Sequence, residues 1–308
     1  MREFILVLSV FVFGVFYSSG QQEKLLTHFI FDKMSLNPGA TGIALNHEIC
    51  GTAIYRNQWD KFNGAPNSVL ANVEGNLSQY FPSGLGLSFY HDAIGYARQN
   101  NLTINYSYHL PLGDGLLGIG AGLGFVSLGM QPTWVTPDGI DTDASLPMSS
   151  NAITFDANFG LYYQSFNGWY AGVSATHLPG LDLKNMSYKT AQHLYAMGGY
   201  KWSEAFDVQK LDWEGNALIR SDLKFISADI NTRFIWDNMI YGGVTYRTSD
   251  ALAIMAGVTF YKFTVGYSYD ITLNRISDIS WGSHEILIKY CHPLPPLPVT
   301  KARNPRYL

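Results

Sequence analysis

Charge is scarce in this chain. Only 14% of its 308 residues are Asp, Glu, Lys or Arg, against roughly a quarter in ordinary soluble domains. A soluble fold would lack the ionic surface that usually faces water. The net charge of −4 provides no basic footprint, so nucleic acid is not an expected partner. Helix formers do not gather into long runs, and 30 glycines interrupt the sequence. Beyond the N-terminus no unbroken apolar run is long enough for a membrane-spanning helix.

Catalytic and metal motifs are missing too. Residues 118–124 read G-x-G-x-G-x-G, which fails both the dinucleotide and the P-loop spacing. No GxSxG elbow occurs. The histidines, among them His91, His109, His177, His193 and His284, show neither HExxH spacing nor cysteine pairing for zinc. The acidic PDGIDTD at 137–143 lacks the full EF-hand pattern. The expectation is a non-enzymatic protein without cofactor or metal. A Ser–His pair across strands, for instance Ser107 and His109, is the one hydrolase arrangement left open.

What is abundant is alternation. In LTINYSYHL, Leu102, Ile104, Tyr106, Tyr108 and Leu110 take turns with Thr103, Asn105, Ser107 and His109. That period of two gives one strand an oily face and a polar face. The turn PLGDG follows, and then Leu117, Ile119, Ala121, Leu123 and Phe125 alternate with glycines. Aromatics make up 15% of the chain, as the girdles of a lipid-facing barrel require. An exported chain that is oily on alternate residues and lacks spanning helices fits a closed barrel, because lipid satisfies no backbone hydrogen bonds.

The ends support export. Met1 and Arg2 precede an apolar run at 4–16, and Ser18-Ser19-Gly20 offers small residues for cleavage. Residues 1–20 read as a signal peptide. Residues 21–46 contain Pro38, Gly39 and Gly42 and do not alternate, so they read as a periplasmic or lumen-plugging segment. The plug idea has a motive: the glycine face at 118–124 leaves room inside. Residues 47–292 form the barrel, and the proline-rich 293–308 a periplasmic tail.

The fold expected is all-β: a transmembrane, up-and-down antiparallel barrel of the outer-membrane type with about fourteen strands. Strands are expected at 48–57, 68–79, 84–91, 99–110, 115–129, 151–166 and 169–177. The remaining seven are expected at 190–202, 217–225, 227–236, 240–247, 251–260, 262–271 and 283–291. Connections after even-numbered strands are short, the exception being 203–216, whereas long ones follow odd strands. Periplasmic turns behave in this way. Both termini are therefore expected in the periplasm. Cys50 and Cys291 begin the first strand and end the last, so they meet at one rim, where an oxidising compartment permits a bridge. Two free thiols are the alternative.

Arg56, Gln58 and Trp59 leave the first strand at its far end. They read either as a cluster gripping a partner or as an interfacial Trp with Arg56 paired to Glu74 or Asp270 inside the lumen. His284 and Glu285 read as part of a lumen network rather than a catalytic pair. Asn37 and Pro38 join them as candidate lumen or partner-binding residues.

Three blocks carry a family resemblance. The first is HFIFDKMSLNPGATG (28–42) followed by AIYRNQWDKFNGAP (53–66). The second is THLPG (176–180) with AQHLYAMGGYKW (191–202). The third is GYSYDITLNRISDISWGSHEILIKYCHPLPPLP with the terminal NPRYL. Together they resemble the PorP/SprF family of type IX secretion system membrane proteins, with Asn37-Pro38-Gly39 where the family usually reads NPA. The resemblance implies a Gram-negative outer-membrane barrel working in protein secretion and, in gliding bacteria, adhesin display. It implies as partners the periplasmic ring components, a peptidoglycan-binding protein and a secreted adhesin or C-terminal domain substrate. A diffusion porin or small-molecule transporter is the alternative reading, and a barrel hydrolase the more remote one.

Overall fold

The computed structural model describes residues 24–130, 149–180, 182–183, 188–189 and 191–295. The expected signal peptide, the acidic 137–143 stretch and the tail from 296 lie outside the described residues.

Fourteen strands close on themselves through antiparallel neighbours in chain order. They are β1 (Glu48–Asn57), β2 (Asn67–Asn76), β3 (Ser83–Ile94), β4 (Ala97–Pro111), β5 (Gly115–Met130), β6 (Ser150–Ser165) and β7 (Trp169–Thr176). The second half comprises β8 (His193–Trp202), β9 (Leu211–Ser221), β10 (Ile226–Trp236), β11 (Ile240–Arg247), β12 (Ala251–Phe260), β13 (Phe263–Thr272) and β14 (Ser283–Pro293). A two-residue ladder, Asp182–Leu183 with Tyr188–Lys189, lies in the β7–β8 connection. The seam is β1 on β14, with Glu48 opposite Pro293 and Asn57 opposite His284.

The period of two sorts the side chains as the sequence requires. On β4, Leu102, Ile104, Tyr106, Tyr108 and Leu110 are exposed on the outer wall, while Asn101, Thr103, Asn105, Ser107 and His109 are buried. Outer-wall exposure here means contact with lipid, since a closed barrel leaves no strand edge unpaired.

The ninth strand is a correction. It runs from Leu211 to Ser221 rather than over 217–225. Asp222 ends it: its carboxylate accepts from the N–H groups of Lys224 and Phe225, and Leu223 takes φ +67°. The chain turns there, and the strand starts earlier, at LDWEG. The connection before it shrinks to the eight residues 203–210, which reduces the exception to the loop-length rule. The connections at the rim where β1 begins and β14 ends are 77–82, 112–114, 166–168, 203–210, 237–239 and 261–262, none longer than eight residues. The longer ones, 58–66, 131–149, 177–192 and 273–282, join strand ends at the opposite rim.

The tightly packed interior of the molecule is the lumen. Leu26, Phe29, Ile30, Leu36, Ala40 and Ile43 of the N-terminal segment pack against Ile54, Leu70, Tyr162, Leu218, Tyr241, Met255 and Leu287 of the wall. Lys24 lies level with Arg220 at the far end of β9, and Leu45 with Asn76 at the near end of β2. The segment thus threads the lumen lengthwise before entering β1.

Candidate functional site

The lumen holds its plug by two unlike walls. On one side the plug backbone lies directly on glycine. A Cβ at Gly118 would collide with the Gly39 carbonyl, one at Gly120 with Pro38, and one at Gly160 with the Asn37 side chain. Only a wall without side chains admits a backbone so close. Asn37 fixes the turn: its Oδ1 accepts from Gly39 N at 2.9 Å, ordering a short 3-10 turn begun by Pro38. Its Nδ2 donates to Leu161 O at 3.0 Å and Val173 O at 3.3 Å, reaching β6 and β7.

The polar side chains of this wall complete the seat. Ser107 Oγ donates to Gly39 O at 2.9 Å, His109 Nε2 to Thr41 O at 3.0 Å, and Ser174 Oγ to Leu36 O at 2.6 Å. Ser107 and His109 therefore do not form a nucleophile–base pair; each carries a plug carbonyl. Gly42 N donates to Glu74 at 2.8 Å, and Asn76 Nδ2 holds Gly42 O and Leu45 O at 2.9 and 2.8 Å.

The other wall is ionic. Glu285 is fully buried and accepts from Thr27 N at 2.9 Å, His28 N at 2.7 Å and His28 Nδ1 at 2.7 Å. Arg56 joins Glu285 at 3.1 Å to Asp270 at 2.7 Å, and Asp270 also accepts from Thr27 Oγ1 at 2.8 Å. The chain of charges continues through Arg247 to Asp229 at 3.2 Å and from Asp229 to Arg220 at 2.5 Å. Arg220 Nη1 in turn donates to Lys24 O at 3.3 Å. Charges this deep are tolerated because each has a partner.

Cation–π contacts bridge the middle. Lys33 Nζ sits 3.5 Å from the Tyr170 ring centroid, and the Arg233 guanidinium, paired with Glu214 at 2.6 Å, lies 4.7 Å from that of Phe31. On the near wall Asn72 Nδ2 donates to Asp32 at 2.5 Å.

The residues singled out from sequence divide accordingly. Asn37 and Pro38 belong to the glycine wall; Arg56, Asp270 and Glu285 to the ionic one. Of the two carboxylates proposed for Arg56, the structure pairs it with Asp270 and leaves Glu74 to the plug. Gln58 is buried just past β1, and Trp59, at φ +53°, donates its backbone N–H to Ser283 Oγ at 3.1 Å. His284 departs from expectation. Its neighbour Glu285 points inward, so the period of two turns His284 outward, where its Nδ1 meets Tyr267 Oη at 2.7 Å. Sequence reasoning missed Thr27, His28, Arg220, Asp229 and Arg247. The last three stand on the inward parity of their strands, the signal that was there to be read.

Cys50 and Cys291 face each other across the seam and are joined, with Cα atoms 4.1 Å apart. Among the described residues the one His/Cys/Asp/Glu group at metal-ligand spacing is Glu48 with these two sulfurs, and the sulfurs are bonded to each other. Also among the described residues, no helix is long and apolar enough to cross a membrane.

Comparison with solved structures finds outer-membrane barrels. The CymD monoaromatic hydrocarbon channel superposes with a TM-score of 0.54 at 12% identity, covering 92% of this chain and 95% of its own. The toluene transporter TbuX of Ralstonia pickettii gives 0.52 at 10% identity, covering 85% and 93%. At such identities the likeness is one of fold. No curated protein matches the sequence. Residues 18–290, however, match the family described as type IX secretion system membrane protein PorP/SprF, and this plugged fourteen-stranded barrel belongs to that family.

Proposed function

We propose that the protein is a sealed outer-membrane anchor of the type IX secretion machinery, supporting export or surface anchoring of a cognate secreted protein or adhesin. One observation carries the reading against a diffusion pore: the plug is complementary to both walls of the lumen, by backbone contact on one side and by buried charge on the other. A wall that serves a solute pathway has no need of such complementarity to its own N-terminal segment. Family membership supplies the machinery. The rim where β1 begins and β14 ends faces the periplasm in this reading, with short turns inside and long loops outside. Contrary to the expectation that both ends of the chain share that rim, the plug starts at Lys24 beside the outward one. Residues 1–20 are the signal peptide, and 293–308 a tail that docks periplasmic ring components or a peptidoglycan-binding protein. No reaction is assigned to it.

Deletion of the gene is expected to abolish surface display of the cognate adhesin while small-solute uptake continues. Unchanged display would defeat the reading. The transporter alternative keeps one support, the shared fold with CymD and TbuX, and planar-bilayer conductance of the purified barrel decides between them.

A further inference from the structure

The block AIYRNQWDKFNGAP does more than place Arg56 in the lumen. Beyond β1 it folds into the 58–66 loop, which overhangs the outer wall at the rim opposite the start of β1 and the end of β14. Beneath it lies a cavity of about 300 Å³ whose lining includes Asn57, Asp60, Lys61, Asn67 and Arg98 with the apolar Trp59, Phe62 and Ala93 between them. The strand register turns this cavity outward. Asn57 follows Tyr55 on the lipid-facing parity of β1, Asn67 precedes Val69 on that of β2, and Arg98 precedes Asn100 and Leu102 on that of β4.

The cup is held firmly. Asp60 N donates to Gly282 O at 2.7 Å, Trp281 N to Asp60 O at 3.1 Å, and Gly95 N to Gly64 O at 3.0 Å. Lys61 Nζ rests 2.9 Å from the Trp281 ring centroid. Arg98 uses Nη1 on the carbonyls of Gly95 and Ala97, at 2.6 and 2.8 Å. Its Nε and Nη2 edge has no protein partner among the described residues. Two cations thus line the cup with one carboxylate, Asp60, to which Asn57 Nδ2 donates at 3.3 Å. Asn67 donates to Ala65 O at 3.2 Å and accepts from Tyr55 Oη at 3.3 Å, and the remaining amide capacity of both asparagines stays open among the described residues.

Directly below, the outer wall is apolar: Tyr55, Val69, Phe89 and Ile286 are all exposed. A net-positive polar cup over a greasy wall suits an amphiphile with an anionic, hydroxyl-rich head and acyl chains. We propose that this cup binds the phosphate-bearing sugar headgroup of an outer-leaflet glycolipid, with the acyl chains lying along β1–β3. The guanidinium and ammonium take the phosphate, and Asn57 and Asn67 take sugar hydroxyls. The proposal is independent of the secretion role but needs this rim at the cell surface.

Native mass spectrometry of the detergent-purified full-length chain tests it, with diphosphoryl lipid A as the probe. Wild-type protein is expected to carry one such adduct, reduced at least tenfold in Lys61→Glu/Arg98→Glu and retained in Lys61→Arg/Arg98→Lys. Unchanged heat-dependent gel mobility of both variants shows that the barrel is intact. Full adduct in the charge-reversed variant overturns the proposal, as does equal binding of dephosphorylated lipid A. Equal binding of phosphatidylglycerol overturns the choice of a glycolipid. Orientation is read separately by Asn63→Cys: labelling by an impermeant maleimide in intact cells supports the outer-leaflet assignment, and its absence refutes it.

Discussion

The two walls of the lumen hold one peptide by opposite means. Strands β3–β7 present glycine, serine and histidine to residues 36–42 and bring wall and plug backbones into direct contact. Strands β9–β14 and β1 present arginine and carboxylate to residues 24–28 and grip them through buried charge. The first is a matter of shape: dispersion and a few hydrogen bonds act at distances that no added side chain permits. The second is electrostatic, and each charge there is bearable only because its partners remain. A steric seat fails when something is added, an ionic one when something is removed.

That difference can be broken open by substitution. The largest effect is expected from Gly120→Leu, because the new side chain and Pro38 cannot occupy the same space. The plug must leave its seat, so planar bilayers with the variant should conduct while wild-type barrels stay closed. A wild-type barrel that itself conducts freely would remove the sealed lumen. On the ionic side, Arg56→Met leaves Asp270 and Glu285 without their shared cation. Loss of one partner from a buried network costs about 3–5 kcal/mol, measurable as a lower denaturation midpoint in detergent. Adding Glu285→Gln should recover part of that loss; no recovery would show that the two are uncoupled.

A control that touches neither wall is Cys50→Ser/Cys291→Ser. It opens the seam staple and is expected to cost about 2–4 kcal/mol, with wild-type gel mobility shifting on reduction and the variant's unaffected. The smallest effect belongs to Asn37→Ala. It forfeits the bonds to Leu161 O and Val173 O, about 1–3 kcal/mol, and should leave the plug seated. A conducting Asn37→Ala barrel would make that side chain, rather than the glycine floor, the main fastener of the wall.

Much of the barrel was legible in advance. Strands 48–57, 240–247 and 251–260 agree with the sequence reading to the residue, because period two and short turns are local properties. The ninth strand was misplaced because Leu223 and Phe225 continue an apparent alternation through what is a turn closed by the Asp222 carboxylate. His284 was drawn into the lumen by its neighbour Glu285, although adjacent strand residues face opposite ways. Of the site, Arg56 with Asp270 was foreseen as one pairing among two. Thr27 and His28 were invisible, since nothing in a non-repeating segment says which wall it will touch.

Composition and alternation by themselves determined that the chain curls into an oily-outside cylinder, and roughly how many staves it has. Each strand's two faces are written in its own residues, because lipid rewards one and rejects the other. What fills the cylinder was decided only in three dimensions. Glu285 meets His28 across 257 positions of sequence, and Gly118 matters only because Gly39 arrives against it. Such pairings depend on the closure of the barrel and on the path of the plug through it, which no local pattern encodes.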